Sequence, residues 1–349
     1  VRFDDAHEGL HYEDNGTGRR PMLQDFPGER TSMTATTERL KLISVHSYKG
    51  GVGKSTLATL LGLALAEQGK KVCFVDLDLL APGLHHMLGV ADQVAGKAAV
   101  LDYLIANAAG NAKGAGEVIH RVRPAFAGFP DRDVWLVSGK PVLTDARNAQ
   151  AYLAAEARAG LVRTRLERLL HEVRDREDAS SPEVFILDTP PSLFGVSAAV
   201  RGLVDAHQGA LIFVCQPTTQ DLAGTWGMLH ALDEEEPEGN VASARAIALN
   251  RCPWDLGDDP RRNLLALFDQ AARPADSRRT VRALVSNWLK AYQAAWVPET
   301  LAYQRMVRAA MVDEPRPALA EVLSNDLRQL ADALFASASG EVSADDGQP

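Results

Sequence analysis

The stretch K-G-G-V-G-K-S-T, Lys49 to Thr56, concentrates residues that can handle phosphate. Gly50, Gly51 and Gly53, with Val52 between them, lie where an apolar segment gives way to a helix-forming one. Backbone N–H groups in such a turn can point inward at phosphate oxygens, and a helix N-terminus adds a favourable dipole. Lys54 follows as a point charge for the β- and γ-phosphates, Ser55 offers a hydroxyl to Mg²⁺, and Thr56 continues the turn into the helix. Tyr48 stands where the pattern G-x-x-x-x-G-K-[ST] would place its first glycine. One lysine suffices for one phosphate site, so Lys49 at the mouth of the same turn needs its own explanation.

The flanking segments supply the scaffold. "KLISVHSY" (41–48) reads as a strand, and 54–68 as a helix apolar around most of its circumference, with Gly69 placed to end it in a left-handed cap. "KVCFVDLD" (71–78) is a strand ending in two carboxylates, and "DVWLVSGK" (133–140) a further strand. Residues 147–178 read as one or two charged helices, broken at Gly160. "EVFILDTPPS" (183–192), "GALIFVCQP" (209–217) and "ARAIALNRCP" (244–253) are apolar strands closed by prolines. The tail from Pro260 to Ala336 reads as mostly helical, interrupted near "AAWVPET" (294–300). Apolar strands alternating with amphipathic helices indicate an α/β fold, a mostly parallel central sheet with helices on both faces and helical additions. The expected organisation is a polar extension over 1–38, a nucleotide-binding domain over 39–337 and an acidic tail over 338–349. Within the domain, a helical insertion is expected at about 84–180 and a helix-rich part at about 255–337.

Across 349 residues, 46% are hydrophobic and 24% charged, enough for a sizeable core. The net charge of −9 argues against a surface that coats nucleic acid, so DNA binding would need a local patch. Cys73, Cys215 and Cys252 are far apart, with no CxxC pair, and two of them fall in apolar strands. That pattern predicts buried thiols in a cytoplasmic protein, with neither disulfides nor a zinc site. The first residues show no cationic start followed by an apolar segment, so secretion is not expected, and no apolar run reaches membrane-spanning length.

"KGGVGKST" is the deviant Walker A sequence, and here the chain resembles the ParA/MinD family of P-loop ATPases over about residues 41–335. The resemblance implies a homodimer with ATP sandwiched at its interface, in which Lys49 crosses to touch the partner's phosphates while Lys54 and Asp78 work in cis. Asp188, ending "VFILD", matches the Walker B position, where a carboxylate holds Mg²⁺ through water. "VDLD" resembles the family's second motif, in which Asp78 orients or deprotonates the attacking water and Asp76 supports it. Asn250, with Arg251 beside it, would meet the adenine edge, and the backbone around Pro298 and Glu299 would line the adenine pocket. The implied function is an ATP-dependent, dimerising switch with slow, partner-stimulated hydrolysis, acting in positioning, partition or regulation. A nucleotide-gated scaffold or adaptor without DNA or membrane binding is the alternative, and a bacterial tyrosine-kinase-like phosphotransferase a more distant one.

Arg278, Arg279, Arg282 and Lys290 form the candidate face for nonspecific DNA, although a solvated helix face explains them as well. The stripe Leu327, Leu330, Ala333 and Leu334 has acidic flanks, so it is expected to pack on the domain rather than on a membrane. His85 and His86 are read as surface or helix residues. With no paired cysteines, an iron–sulfur carrier is not expected.

Overall fold

Leu42–His46 forms β1, buried along its length, and its exit is the glycine turn that opens α1 (Lys54–Glu67). The computed structural model describes residues 39–108, 113–139, 160–176, 181–192, 194–235, 244–252, 295–298 and 316–340. Apart from Ser55 and Glu67, α1 is buried all round, as its uniformly apolar sequence requires. At Gly62 the helix backbone lies against the Phe74 ring, and a Cβ there would come within 2.2 Å of it.

Phe74 belongs to β2 (Val72–Asp76), which is followed by α2 (Leu84–Leu88), α3 (Ala91–Val94), α4 (Val100–Ala108) and α5 (Ala115–Val118). Next come β3 (Ile119–Val122), β4 (Val134–Val137), α6 (Leu161–Arg174) and β5 (Val184–Asp188). The chain continues through α7 (Val196–Ala206), β6 (Ala210–Cys215), α8 (Thr219–Glu235), β7 (Ala244–Cys252) and β8 (Ala295–Pro298). Among the described residues the last elements are α9 (Leu319–Val322) and α10 (Asn325–Ser339).

The strands form one sheet in the order β3-β4-β2-β5-β1-β6-β7-β8, parallel except for β3, which runs antiparallel to β4. Apolar side chains fill both faces, so each of β1, β2, β4, β5 and β6 is buried at every position. The mostly parallel sheet with helices on both faces is the expected fold. β3 was not expected: "IHRV" is short and half polar, with Ile119 and Val122 inward and Arg121 paired to Asp133 at 3.3 Å. Among the described residues, the region 84–180 thus contributes the strands β3 and β4 as well as helices. Gly160, the expected break point, starts α6 in a left-handed conformation at φ 67°, and residues 140–159 before it lie outside the described residues.

α10 carries the Leu327, Leu330 and Leu334 stripe, all buried, with Ala333 half-buried beside it. Ser324 caps its start, accepting from the Leu327 N–H at 3.2 Å, and Gly340 ends it at φ 72°. Arg328 grips Glu67 of α1 through two bonds, at 2.7 and 3.1 Å, so the stripe packs on the domain. No helix among the described residues is long and apolar enough to cross a membrane.

Candidate nucleotide site

The carboxyl ends of β1, β2 and β5 meet at one crevice, because the register sets Asp188 beside both Val45 and Asp76. In open α/β sheets this is where ligands bind. From β1 the chain turns through Gly51 (φ 79°) and Gly53 (φ 100°), conformations that side chains with a Cβ rarely adopt. Nothing lies within 4 Å of where a Cβ would stand at Gly50 or Gly51, so the loop faces open space. That space is a cavity of about 540 Å³ lined by the three glycines, Lys54, Ser55, Thr56, Asp78, Leu80, Ala81, Pro190 and Pro191. Val52 turns the other way and is buried in the core.

The electrostatics converge on the same point. Asp188 is fully buried, and neither of its oxygens meets a hydrogen-bond donor at bonding geometry among the described residues. Its carboxyl is raised to about 6: burial pushes it up, Lys54 and the Ser55 hydroxyl oppose that, and Asp78 adds to it. An orphaned buried carboxylate costs several kcal/mol unless a cation or donor answers it. A hydrated Mg²⁺ between Asp188 and Ser55 would do so, and the hard oxygen donors suit it. Asp78 is likewise raised by burial and lowered by Lys54. Its Oδ1 accepts from the Ala81 N–H at 3.2 Å, which shapes the loop after β2.

Asp76 lies behind them, raised well above the usual carboxylate range by burial and by Asp188. Its Oδ2 accepts from the N–H groups of Gly83 (2.9 Å) and Leu84 (3.0 Å), and its Oδ1 from that of Asp78 (3.3 Å). Asp76 thus fixes the loop that carries Asp78 and the start of α2.

Several bracing residues were not read from sequence. The Gln216 side chain donates to Gly51 O at 3.4 Å, and Asn250 Nδ2 donates to Val52 O at 2.7 Å. Asn250, expected at the adenine edge, therefore has an amide nitrogen committed to the loop itself. Asp221 accepts from the Gln216 N–H at 2.6 Å while its own N–H donates to Thr218 Oγ1 at 3.3 Å. T-T-Q-D is a capping-box pattern that would have flagged this helix start. The Tyr48 ring lies against Gly224 of α8, where a Cβ would stand 2.2 Å from it. Tyr48 in place of the usual glycine thus anchors the loop to α8.

His46, at the exit of β1, is fully buried, and burial with Lys54 and Arg201 nearby depresses it to about 3. Thr189 Oγ1 donates to Val45 O at 2.8 Å, so at 3.3 Å it accepts the proton of His46 Nδ1, leaving Nε2 to take the Ser44 hydroxyl at 2.9 Å. The folded ring stays neutral while the unfolded one titrates near 6.5. This contribution to stability is complete above pH 6.5 and is lost as pH falls toward 3. At pH 5 the loss is about 2 kcal/mol. Urea unfolding should therefore show His46→Gln losing about 2 kcal/mol less than wild type between pH 7 and pH 5. Equal losses would mean His46 is not the titrating group.

Lys49 is partly buried, its carbonyl accepts the Ser47 hydroxyl at 2.8 Å, and it does not line the cavity of its own chain. β8 lies beside β7 with Trp296 opposite Leu249, which brings Pro298 to the end of the same sheet. The side chains of Arg251 and Pro298, and all of Glu299, lie outside the described residues. So do Arg278, Arg279, Arg282 and Lys290. His85 and His86 are on α2, but His85 is buried rather than on the surface. Cys73 and Cys215 are buried, as expected. Glu167, His171 and His207 converge within 4.8 Å, a grouping that sequence spacing hid. The Leu40 N–H donates to His207 Nδ1 at 3.2 Å, so Nε2 carries the proton shared with Glu167 at 3.1 Å. Both ring nitrogens are thereby used within the fold.

Comparison with known proteins agrees with this geometry. The ParA family model described as NUBPL iron-transfer P-loop NTPase matches residues 39–106. The cytosolic Fe-S cluster assembly factor NUBP2 of Mus musculus is 51% identical over 66 residues, 19% of this chain and 24% of that protein. The iron-sulfur cluster carrier protein of Haemophilus influenzae is 52% identical over 52 residues, 15% of this chain and 14% of that one. The match thus spans about a quarter or less of these relatives' length. Among solved structures, apo McdA of Cyanothece aligns with a TM-score of 0.54 at 20% identity, over 85% of this chain and 99% of that one. MinD of Pyrococcus furiosus aligns at 0.51 and 18%, over 86% and 99%.

These relatives overturn the expectation that no iron–sulfur cluster is involved. That expectation rested on cysteine spacing, yet the shared segment is the phosphate loop and its flanking strands, whose one cysteine, Cys73, is buried in β2. Cysteine spacing therefore did not bear on the relationship. The segment 39–106, which holds the deviant loop, thus matches the ParA family model, and the sheet has the fold of the McdA and MinD structures.

Proposed function

We propose that this chain is an ATP- and Mg²⁺-dependent switch that dimerises around its nucleotide, hydrolyses it slowly, and serves as a gated scaffold or carrier for a client. The observation that carries this reading is the division between two lysines on one loop. Lys54 is buried in the cavity with Asp78 and Asp188 around it, whereas Lys49 lines none of that cavity. A cation next to a phosphate site but outside it is placed to serve a facing copy.

In this reading the backbone of Gly50 to Gly53 and the Lys54 ammonium bind the phosphates, and Thr56 closes the turn. Ser55 and Asp188 would hold Mg²⁺, which would supply charge neutralisation on the phosphates. Asp78, its affinity for a proton raised by burial, orients the attacking water and accepts its proton. Asp76 holds Asp78 in position. Asn250 and the end of β8 flank the place for the adenine ring.

The names of the relatives, an assembly factor and a carrier for iron–sulfur clusters, favour a carrier over a positioning role and make such a cluster a candidate client. The α10 stripe is spent on α1, which also supports a scaffold over a membrane-attached protein. Phosphate release per subunit should rise with protein concentration at saturating Mg-ATP, because two chains complete each site. A rate per subunit independent of concentration down to full dilution would sink the two-chain reading.

A further inference from the structure

Of the four exposed large apolar side chains among the described residues, Leu80 lines the phosphate cavity and Tyr48 and Phe194 line a second groove, with Leu161 elsewhere. Leu80 lines the cavity, Tyr48 adjoins Lys49, and Phe194 follows Pro190 and Pro191, which also line it. Phe194 is 82% exposed. Water-facing aromatics of this kind are the usual anchors of protein interfaces.

The segment presenting Phe194 is held under strain. Ser192 sits at φ 110°, a region costly for a residue with a Cβ, and its N–H donates to Ser47 O at 2.9 Å beside the phosphate loop. The Phe194 N–H in turn donates to Ser192 Oγ at 3.3 Å. Next to it lies a groove of about 510 Å³ with mostly apolar walls, among them Tyr48, Ala223, Gly227 and Met228, while Arg201 adds a charge and Phe194 lines its edge. Being so exposed, Phe194 does not fill the groove it borders. Above Gly227 there is nothing within 4 Å of where a Cβ would stand.

We infer that Phe194 is the apolar anchor of the nucleotide-bound dimer and inserts into this groove on a second copy of the chain. A knob and a hole on one face are what a two-fold interface requires, since each copy then gives its knob to the other's hole. Charge on the same face points to the same occupant. Lys49 stands outside its own cavity, and a cavity loaded with nucleotide becomes the anionic partner for the Lys49 facing it. The face is therefore complementary to itself only when nucleotide is bound. This inference rests on the dimer proposed above and adds the residues that hold it together.

The test uses the full chain with Mg²⁺ and a non-hydrolysable ATP analogue, following mass by light scattering across protein concentration. Wild type is compared with Phe194→Ser, which removes the knob, and Gly227→Leu, which fills the hole while improving a helix position. Binding of a fluorescent ATP analogue is measured in parallel, at concentrations where all three are monomers. Both variants should bind the analogue as wild type does, yet need about thirtyfold more protein, or beyond, to dimerise. Dimerisation of both variants at the wild-type concentration would overturn the inference and leave the dimer standing. A wild-type chain that stays monomeric would overturn the dimer itself, and the anchor with it.

Discussion

Lys54→Ala is expected to abolish Mg-ATP binding and to cut phosphate release by about a hundredfold or more, the scale seen when one donor to developing charge is removed. The effect has two sources. The ammonium itself contacts phosphate, and it is also the first-ranked influence opposing burial at both Asp78 and Asp188. Without it both carboxyls hold their protons more tightly, so Asp188 loses its fitness for Mg²⁺ as the phosphate site loses its cation. Because Lys54 is buried at the start of α1, unfolding by urea should be followed alongside binding by calorimetry. A folded variant that still binds Mg-ATP with wild-type affinity would remove Lys54 from the site.

Lys49→Ala should separate the two functions that Lys54→Ala removes together. Binding of nucleotide by the monomer should persist within a few-fold, because Lys49 does not line that cavity. Phosphate release should nevertheless fall by about a hundredfold, since the donor is missing from the facing site. The cleanest confirmation is complementation. A mixture of Lys49→Ala with the hydrolysis-deficient Asp78→Ala should recover part of the lost rate, because in the mixed dimer one of the two sites holds both an intact Asp78 and an incoming Lys49. No recovery at any ratio, with mixed dimers demonstrably present, would place both residues in the same chain's site.

The phosphate loop was legible because its chemistry is local: three glycines, a lysine and a serine act within a single turn. The parallel sheet was legible for a similar reason, since strands buried on both faces are written as unbroken apolar runs such as "VCFVD" and "ALIFVC". β3 escaped because its two apolar residues, Ile119 and Val122, stand three apart and pack on opposite faces of the sheet, so they form neither an alternating pattern nor an apolar run. His46 escaped because a histidine inside an apolar run gains meaning only from its partners, Ser44 on the same strand and Thr189 just beyond the neighbouring β5. Gln216 and Asp221 lie far along the chain from the loop they brace, and only the sheet order brings β6 beside β1. The exclusion of iron–sulfur chemistry failed for a different reason. It took ligand spacing as evidence about a kinship that resides in the nucleotide-binding segment.

Asp78 and Asp76 show how the two levels of description join. The motif alone places two carboxylates one residue apart at a strand end. The structure separates their work, since Asp76 spends its oxygens on three backbone N–H groups while Asp78 faces the cavity. Two adjacent, chemically identical groups thus become a positioning residue and a candidate catalytic base.

The central claim is that two copies of this chain close on nucleotide through Lys49. Light scattering of Asp78→Ala and of the double variant Asp78→Ala/Lys49→Ala, each with and without Mg-ATP, tests it most directly. The account predicts that Asp78→Ala accumulates as a dimer when Mg-ATP is added, and that the double variant stays a monomer while still binding nucleotide. Equal masses for the two proteins in Mg-ATP would contradict it.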